Sequence, residues 1–215
     1  MRRADLVIFD CDGTLIDSEG PVNRVLAEYV SELGLPLTAE ESERRFRGMQ
    51  MAAVAEALAA DGLLLPADWL EVYHARTIAE FERELNLIPY ALEAVEAMTV
   101  LGVGTCVASQ SSPSYLHAAL SRTGLWERFA GRVFSASMVK RGKPYPDLFL
   151  HAAEVMRAGF DRCVVVEDSI TGVKAAVAAG MRCLALAGGD DVRTMAALGA
   201  EPIESLMEVP WAIAD

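Results

Sequence analysis

DLVIFDCDGTLIDSE, residues 5–19, decides the fold of this chain. The apolar run 6–9 has the length of a buried parallel strand. It stops at Asp10, and Asp12 follows two residues later, before a Gly-Thr pair. Unpaired charges are seldom left beside a core. Two anions this close repel each other, so either one is protonated or a cation lies between them.

The position of these two acids predicts a functional site. In an open α/β sheet, ligands bind outside the carboxyl ends of the strands. The stretch therefore predicts a metal-dependent carboxylate site in which one aspartate is a nucleophile. The alternative is structural, a strand that is followed by an Asp-Gly turn.

Residues 10–15, DCDGTL, resemble the first motif, DxDGTL, of the haloacid dehalogenase superfamily of phosphohydrolases. Residues 16–19, IDSE, resemble the sugar-phosphatase and β-phosphoglucomutase branch of that superfamily. The resemblance implies that Asp10 attacks phosphorus and that Asp12 is the general acid and base.

Composition restricts the class of protein and its partners. A chain of 215 residues, 53% of them hydrophobic, can form one sizeable domain or a core with a small insert. The net charge of −12 argues against nucleic acid and anionic membranes as partners. No apolar run reaches the roughly 18 residues of a membrane span. We expect a cytoplasmic monomer, and the resemblance implies that it binds a small phosphorylated metabolite. Cys106, Cys163 and Cys183 lie in apolar strand-like runs and are predicted to be small buried hydrophobic residues, whereas Cys11 is predicted to fill the end of a strand.

Residues 20–86 are predicted to be helical almost throughout. The signals are an apolar stripe, a capping box, an Ala-rich run and an amphipathic run, at 22–33, 38–41, 52–60 and 69–85. A helical insert directly after a strand and turn is typical of a lid, and the resembled branch has a helical cap here. We place the cap at 17–86 and the α/β core at 1–16 and 87–215.

After Pro89 the predicted elements alternate. Helices are expected at 91–101, 115–120, 147–156 and 171–179, and strands at 103–108, 132–135, 163–166 and 183–186. This alternation indicates parallel crossovers in a doubly wound, Rossmann-like α/β sheet. The carboxyl ends of its strands should meet at one edge.

Ser109 ends the second of the core strands, and Ser112 precedes Pro113 at a predicted helix start. A hydroxyl beside the N–H groups of a helix N-terminus suits a phosphoryl oxygen. The alternative is a serine-rich helix cap. By resemblance, Ser109 matches the Ser/Thr of the second motif, and we include Gln110 among the candidate substrate contacts.

Residues 141–147, RGKPYPD, form a stiff loop, because two prolines fix φ on either side of Tyr145. Lys143 is thus held in place, where its ammonium can balance Asp10 and bind a phosphoryl group. The alternative is a solvated lysine before a helix that starts near Pro146. The loop resembles the third motif, KPxPD.

Glu167 and Asp168 end the fourth core strand and repeat the pattern of the first. Mg²⁺ prefers such hard oxygen ligands. The resemblance implies a Mg²⁺ site made by the Asp10 side chain, the Asp12 backbone carbonyl and the Asp168 side chain, with Glu167 acting through water. The alternative for both acids is N-capping of the next helix.

The resemblance implies a Mg²⁺-dependent phosphatase of sugar or sugar-acid phosphates, which works through an aspartyl phosphate. A phosphosugar mutase shares the same core groups, and a non-catalytic binding protein on the same fold is a third hypothesis. A halide-releasing dehalogenase is a weaker one, because its motif typically lacks the second acid, which is present here as Asp12.

Specificity in this branch comes from the cap, where Glu19, Arg47 and Gly48 are the candidate substrate contacts. Arg47 could equally be a solvated helix residue. Mutases that resemble this chain carry an arginine where Met51 stands and a histidine where Val22 stands. Hydrolysis is therefore the predicted reaction.

Overall fold

The computed structural model describes residues 4–47 and 49–214. Proximity of Cα atoms divides the chain into two compact units. One is Ser18–Leu85, and the other combines Met1–Asp17 with Asn86–Asp215. These boundaries differ by one residue at each end from the predicted cap.

The second unit contains a six-stranded parallel sheet. Its strands are β1 (Leu6–Phe9), β4 (Gly104–Ser109), β5 (Val133–Ser135), β6 (Cys163–Glu167), β7 (Arg182–Leu186) and β8 (Glu201–Ile203). The prediction of a doubly wound parallel α/β sheet is confirmed. The sequence interpretation missed β8, because three residues that include a proline carry no clear period.

The two remaining strands form an antiparallel ribbon, β2 (Ile16–Asp17) with β3 (Asn86–Leu87). They flank the helical unit in the chain. The ribbon was not predicted either, because two-residue strands are too short to show an alternation.

The order of the strands across the sheet is β5-β4-β1-β6-β7-β8. From β1 the sheet continues to β4 on one side, whereas from β6 it continues to β7 on the other. The topological switch point, where α/β sheets bind ligands, therefore lies between β1 and β6. Phe9 pairs with Val166 across it, so the residues that follow, Asp10 and Glu167, lie side by side at the carboxyl edge.

The helices of the α/β unit are α5 (Ala91–Leu101), α6 (Pro113–Arg122), α7 (Trp126–Phe129), α8 (Asp147–Val155), α9 (Ile170–Ala178), α10 (Val192–Ala197) and α11 (Val209–Ala212). In the main core, Leu148 and Phe149 of α8 and Val173 of α9 pack with Leu6 and Ile8 of β1. Burial of such side chains contributes about 1.5–3 kcal/mol each. This core fixes the strand ends that carry the acids.

The helical unit comprises α1 (Glu19–Glu32), α2 (Ala39–Phe46), α3 (Met51–Ala60) and α4 (Trp69–Arg83). It has a core of its own around Leu26, Val30 and Leu58. The predicted capping box of Thr38 and Glu41 is present at the start of α2. Within residues 4–47 and 49–214, every helix is too short or too polar to cross a bilayer.

Candidate active site

A buried lysine joins the ends of β1 and β6. Nζ of Lys143 lies 2.5 Å from Oδ1 of Asp10 and 2.5 Å from Oε1 of Glu167. Lys143 is 4% exposed, Asp10 7% and Glu167 0%. The solvated alternative for Lys143 therefore does not apply, and the structure brings together three of the groups that the sequence singled out.

The site holds more acidic groups than this one lysine balances. Burial raises the pKa of Asp10 to about 7, even though Lys143 opposes the shift. Burial, reinforced by Glu167 and Asp10, also raises the pKa of Asp168 well above its usual range. Burial alone would lower the pKa of Lys143, but Asp10 and Glu167 outweigh it and raise that pKa. A further cation would relieve this excess of negative charge.

Oxygen atoms of Asp10, Glu167 and Asp168 lie within 4.8 Å of one another. This donor set is compatible with a hard divalent cation. The oxygens are not equally available, because Oε1 of Glu167 accepts from Lys143 and Oε2 accepts from the Ser169 hydroxyl at 2.8 Å. Direct coordination by Glu167 would require it to exchange one of these bonds. The role of the Asp12 carbonyl stays a prediction.

The Gln110 side chain holds the backbone of Lys143 at both polar atoms. Oε1 of Gln110 accepts from the Lys143 N–H at 2.9 Å, and Nε2 donates to the Lys143 carbonyl at 3.2 Å. Arg141 pairs with Asp147 at 2.8 Å and lies over the Tyr145 ring. These contacts hold the loop in addition to its two prolines. They use the Gln110 amide for support, and its contact with substrate stays a prediction.

The serines near these motifs divide between caps and turns. Ser109 is 1% exposed, and its Oγ accepts from the Ser111 N–H at 3.1 Å. Ser112 caps α6 and Ser169 caps α9 through their side chains. Because Ser169 is the cap of α9, capping does not account for Glu167 and Asp168.

Sequence reasoning missed two partners of Asp12. The Tyr115 hydroxyl donates to Oδ1 of Asp12 at 2.6 Å, and the Ser111 hydroxyl donates to Oδ2 at 2.8 Å. The only signal for Ser111 was its place in the serine-rich run that follows β4. Tyr115 belongs to the apolar face of a helix and had none.

Gly13 lets the first motif turn tightly against Asp168. Its φ is +74°, and a Cβ at this position would lie 2.0 Å from Oδ2 of Asp168. A side chain here would both strain the backbone and displace that acid. Gly13 thus lets the first motif approach Asp168, which is distant in the sequence.

In the helical unit, Arg47 forms a bidentate ion pair with Glu19. Nη2 to Oε2 is 2.7 Å and Nε to Oε1 is 3.1 Å. Two of the predicted substrate contacts therefore contact each other. The third, Gly48, lies outside the described residues. All three stay predictions as substrate contacts.

Buried carboxylates around a lysine, at the switch point of a parallel sheet, suit an enzyme that acts on an anionic group. The sequence model of the haloacid dehalogenase-like hydrolase family matches residues 4–180 of this chain. The chain belongs to this family.

Relatives of known activity and structure agree with this assignment. The chain is 32% identical over 183 residues to 6-phosphogluconate phosphatase of Escherichia coli K12, covering 84% of this chain and 81% of that protein. It is 34% identical to a HAD family hydrolase from Deinococcus radiodurans R1, whose structure has bound phosphate and sodium (TM-score 0.81, 99% and 96% covered). It is 25% identical to a putative β-phosphoglucomutase from Thermotoga maritima (TM-score 0.82, 98% of both chains covered). This chain is a phosphoric monoester hydrolase.

We expect Asp168→Ala to weaken Mg²⁺ binding at least about tenfold, because it removes a carboxylate from the acidic cluster. Ser112→Ala should leave Mg²⁺ affinity unchanged, since Ser112 caps a helix beside the site. Calorimetric titration of both variants and the unmodified protein with Mg²⁺ measures the difference. Equal affinities in the two variants would contradict a role for Asp168 in metal binding.

Proposed function

We propose that this protein is a Mg²⁺-dependent phosphatase of small phosphorylated metabolites, sugar or sugar-acid phosphates, and that it works through an aspartyl phosphate on Asp10. The observation that carries the proposal is the buried contact of Asp10 with Lys143 at the switch point of the sheet. A nucleophile, a fixed cation and an acid two residues away are what phosphoryl transfer needs.

In the first step, a carboxylate oxygen of Asp10 attacks phosphorus and the bond from phosphorus to the ester oxygen breaks. Asp12 gives its proton to the departing oxygen, so that an alcohol leaves rather than an alkoxide. Lys143 faces the phosphoryl group and offsets its charge. Covalent capture divides one difficult hydrolysis into two easier steps.

In the second step, water attacks the phosphorus of the aspartyl phosphate. Asp12, now a carboxylate, takes a proton from that water, and the bond between phosphorus and Asp10 breaks. Inorganic phosphate leaves, Asp10 is again a carboxylate and Asp12 is again protonated. The pair is thereby ready for the next substrate.

The residues proposed to hold Mg²⁺ are Asp10 and Asp168, with the Asp12 carbonyl, and with Glu167 either in contact or through water. The bound ion would neutralise charge on the phosphoryl oxygens. The close oxygens of Asp10, Glu167 and Asp168, together with the raised pKa of Asp10 and of Asp168, support this assignment.

A phosphosugar mutase is the second candidate, because a putative β-phosphoglucomutase has a similar structure. A mutase must hold a second phosphate, and an unpaired dianion is costly, so it needs a further cationic site. The helical unit has thirteen acidic residues, six arginines and no lysine. The nearest candidate for such a cationic site, Arg47, already pairs with Glu19. These features support hydrolysis.

A panel of phosphorylated metabolites, assayed for phosphate release with and without Mg²⁺, tests the proposal. We expect Mg²⁺-dependent release from sugar or sugar-acid phosphates. To separate phosphatase from mutase activity, one sample of the panel contains β-glucose 1-phosphate with a trace of the 1,6-bisphosphate. Its products are followed by phosphorus NMR. We expect free phosphate there rather than glucose 6-phosphate.

Two results would contradict the proposal. Rapid conversion to glucose 6-phosphate with little free phosphate would assign the protein to the mutases. Failure to release phosphate from any member of the panel, with Mg²⁺ present, would remove the phosphatase assignment.

A further inference from the structure

We propose that Tyr115 and Ser111 are positioning residues that fix the Asp12 carboxylate for its acid and base steps. The inference rests on the proposed function, which gives Asp12 those steps. Each oxygen of Asp12 has its own donor, the Tyr115 hydroxyl at 2.6 Å from Oδ1 and the Ser111 hydroxyl at 2.8 Å from Oδ2. With one donor on each oxygen, rotation of the carboxylate would break both bonds.

Both donors are themselves fixed. The Ser111 N–H donates to Oγ of Ser109 at 3.1 Å, and the Ser111 carbonyl accepts from Oγ of Ser135 at 2.7 Å. Ser135 is 1% exposed at the end of β5. Ser111 is thus held between the ends of β4 and β5. Tyr115 is 9% exposed and lies in the first turn of α6, which Ser112 caps.

These contacts leave Asp12 able to work. An ionised carboxylate accepts at about four lone-pair sites. The two donors therefore do not by themselves use the whole accepting capacity of Asp12, which must also give and regain a proton. General acid–base groups contribute about 10²–10⁴-fold to rate, and small misplacement loses part of this. Loss of one fixing bond should therefore cost about tenfold in the steps that Asp12 serves.

A pair of aryl phosphates separates this role from a merely structural one. Phenyl phosphate releases a basic phenolate that benefits from a proton, whereas 4-nitrophenyl phosphate releases a stable anion that does not. In the first turnover, we expect Tyr115→Phe to slow the release of phenol from phenyl phosphate about tenfold. It should slow the release of 4-nitrophenolate from 4-nitrophenyl phosphate less than about twofold. Rapid-quench measurement of the first turnover keeps the later hydrolysis step out of the comparison.

A double-mutant cycle tests whether Tyr115 acts through Asp12. With phenyl phosphate, Tyr115→Phe should have less than about a twofold effect when Asp12 is already alanine, because the coupled residue is gone. Ser111→Ala should repeat the pattern and serves if Tyr115→Phe does not fold. Ser114→Ala is the matched control, since this exposed serine bonds to Ser112 and not to Asp12.

These experiments distinguish failure of the positioning role from failure of the proposed phosphatase function. Equal slowing of both aryl phosphates, no slowing of either, or an undiminished effect in the Asp12→Ala protein would each overturn the positioning role while the phosphatase stands. If the unmodified protein releases phosphate from neither these compounds nor the metabolite panel, the proposed function fails and the inference fails with it.

Discussion

Asp10→Asn should abolish turnover, with a fall in kcat of roughly 10³-fold or more, while the protein stays folded. Asparagine has the shape of aspartate but lacks the carboxylate that would attack phosphorus. The fold should tolerate the change, because Lys143 keeps its contact with Glu167 at 2.5 Å. The substitution also removes one negative charge from an acidic cluster, which offsets part of the lost ion pair. Initial rates on the best substrate of the panel, with thermal unfolding curves, measure both effects.

The control for this experiment is Asp17→Asn, the same chemical change at an exposed residue of β2. It should keep full activity. Acid-quenched protein should carry covalent phosphate in the unmodified form and none in the Asp10→Asn form. Activity above a few per cent of the unmodified level in pure Asp10→Asn protein would rule out Asp10 as the nucleophile.

Gly172→Ala should lower kcat by roughly 10²-fold and destabilise the protein by about 1–3 kcal/mol, the usual cost of overpacking. A Cβ on Gly172 would lie 1.8 Å from Oε1 and 1.9 Å from Cδ of Glu167. Glu167 is fully buried, so it cannot move aside into solvent. Any shift of Glu167 takes Lys143 with it, because the two are in direct contact.

Gly20→Ala is the matched control, since Gly20 also lies in the first turn of a helix and the nearest atom to its added Cβ is Nη1 of Arg24 at 3.6 Å. That variant should be as active as the unmodified protein and equally or more stable, because alanine favours helices over glycine by up to about 1 kcal/mol. Steady-state kinetics and melting temperatures of both variants make the comparison. Full activity in Gly172→Ala would mean that the position of Glu167 is unimportant for turnover.

The core of the site was predictable because its signals are local. Apolar runs that end in acids predicted the ends of β1 and β6, and the proline-bounded loop predicted a held lysine. Parallel strands place their carboxyl ends along one edge of the sheet, so Asp10 and Glu167 were expected at the same edge. The order of the strands, which makes the two acidic strand ends neighbours at the switch point, was not predicted and comes from the structure.

The supporting contacts were not predictable, because they depend on directions that no short pattern encodes. Whether Tyr115 reaches Asp12 depends on the tilt of α6 over the strand ends. The Gln110 side chain could have faced a ligand, and it instead holds the Lys143 backbone. Arg47 was placed by sequence among solvated or ligand-binding residues, and only the folded helical unit shows its pairing with Glu19.

The central place of β1 also governs the order in which the chain can assemble. Leu6 pairs with Gly104 on one side and with Cys163 on the other, and Asp10 meets Lys143 across 133 residues of sequence. The entropy cost of closing such long loops must be met before the contacts contribute stability, and this slows folding. The helical unit is different, because Ser18–Leu85 is continuous and has its own core. On a ribosome, Asp10 is therefore synthesised well before Lys143, Glu167 and Asp168, and it lacks these buried partners until that later part of the chain has emerged.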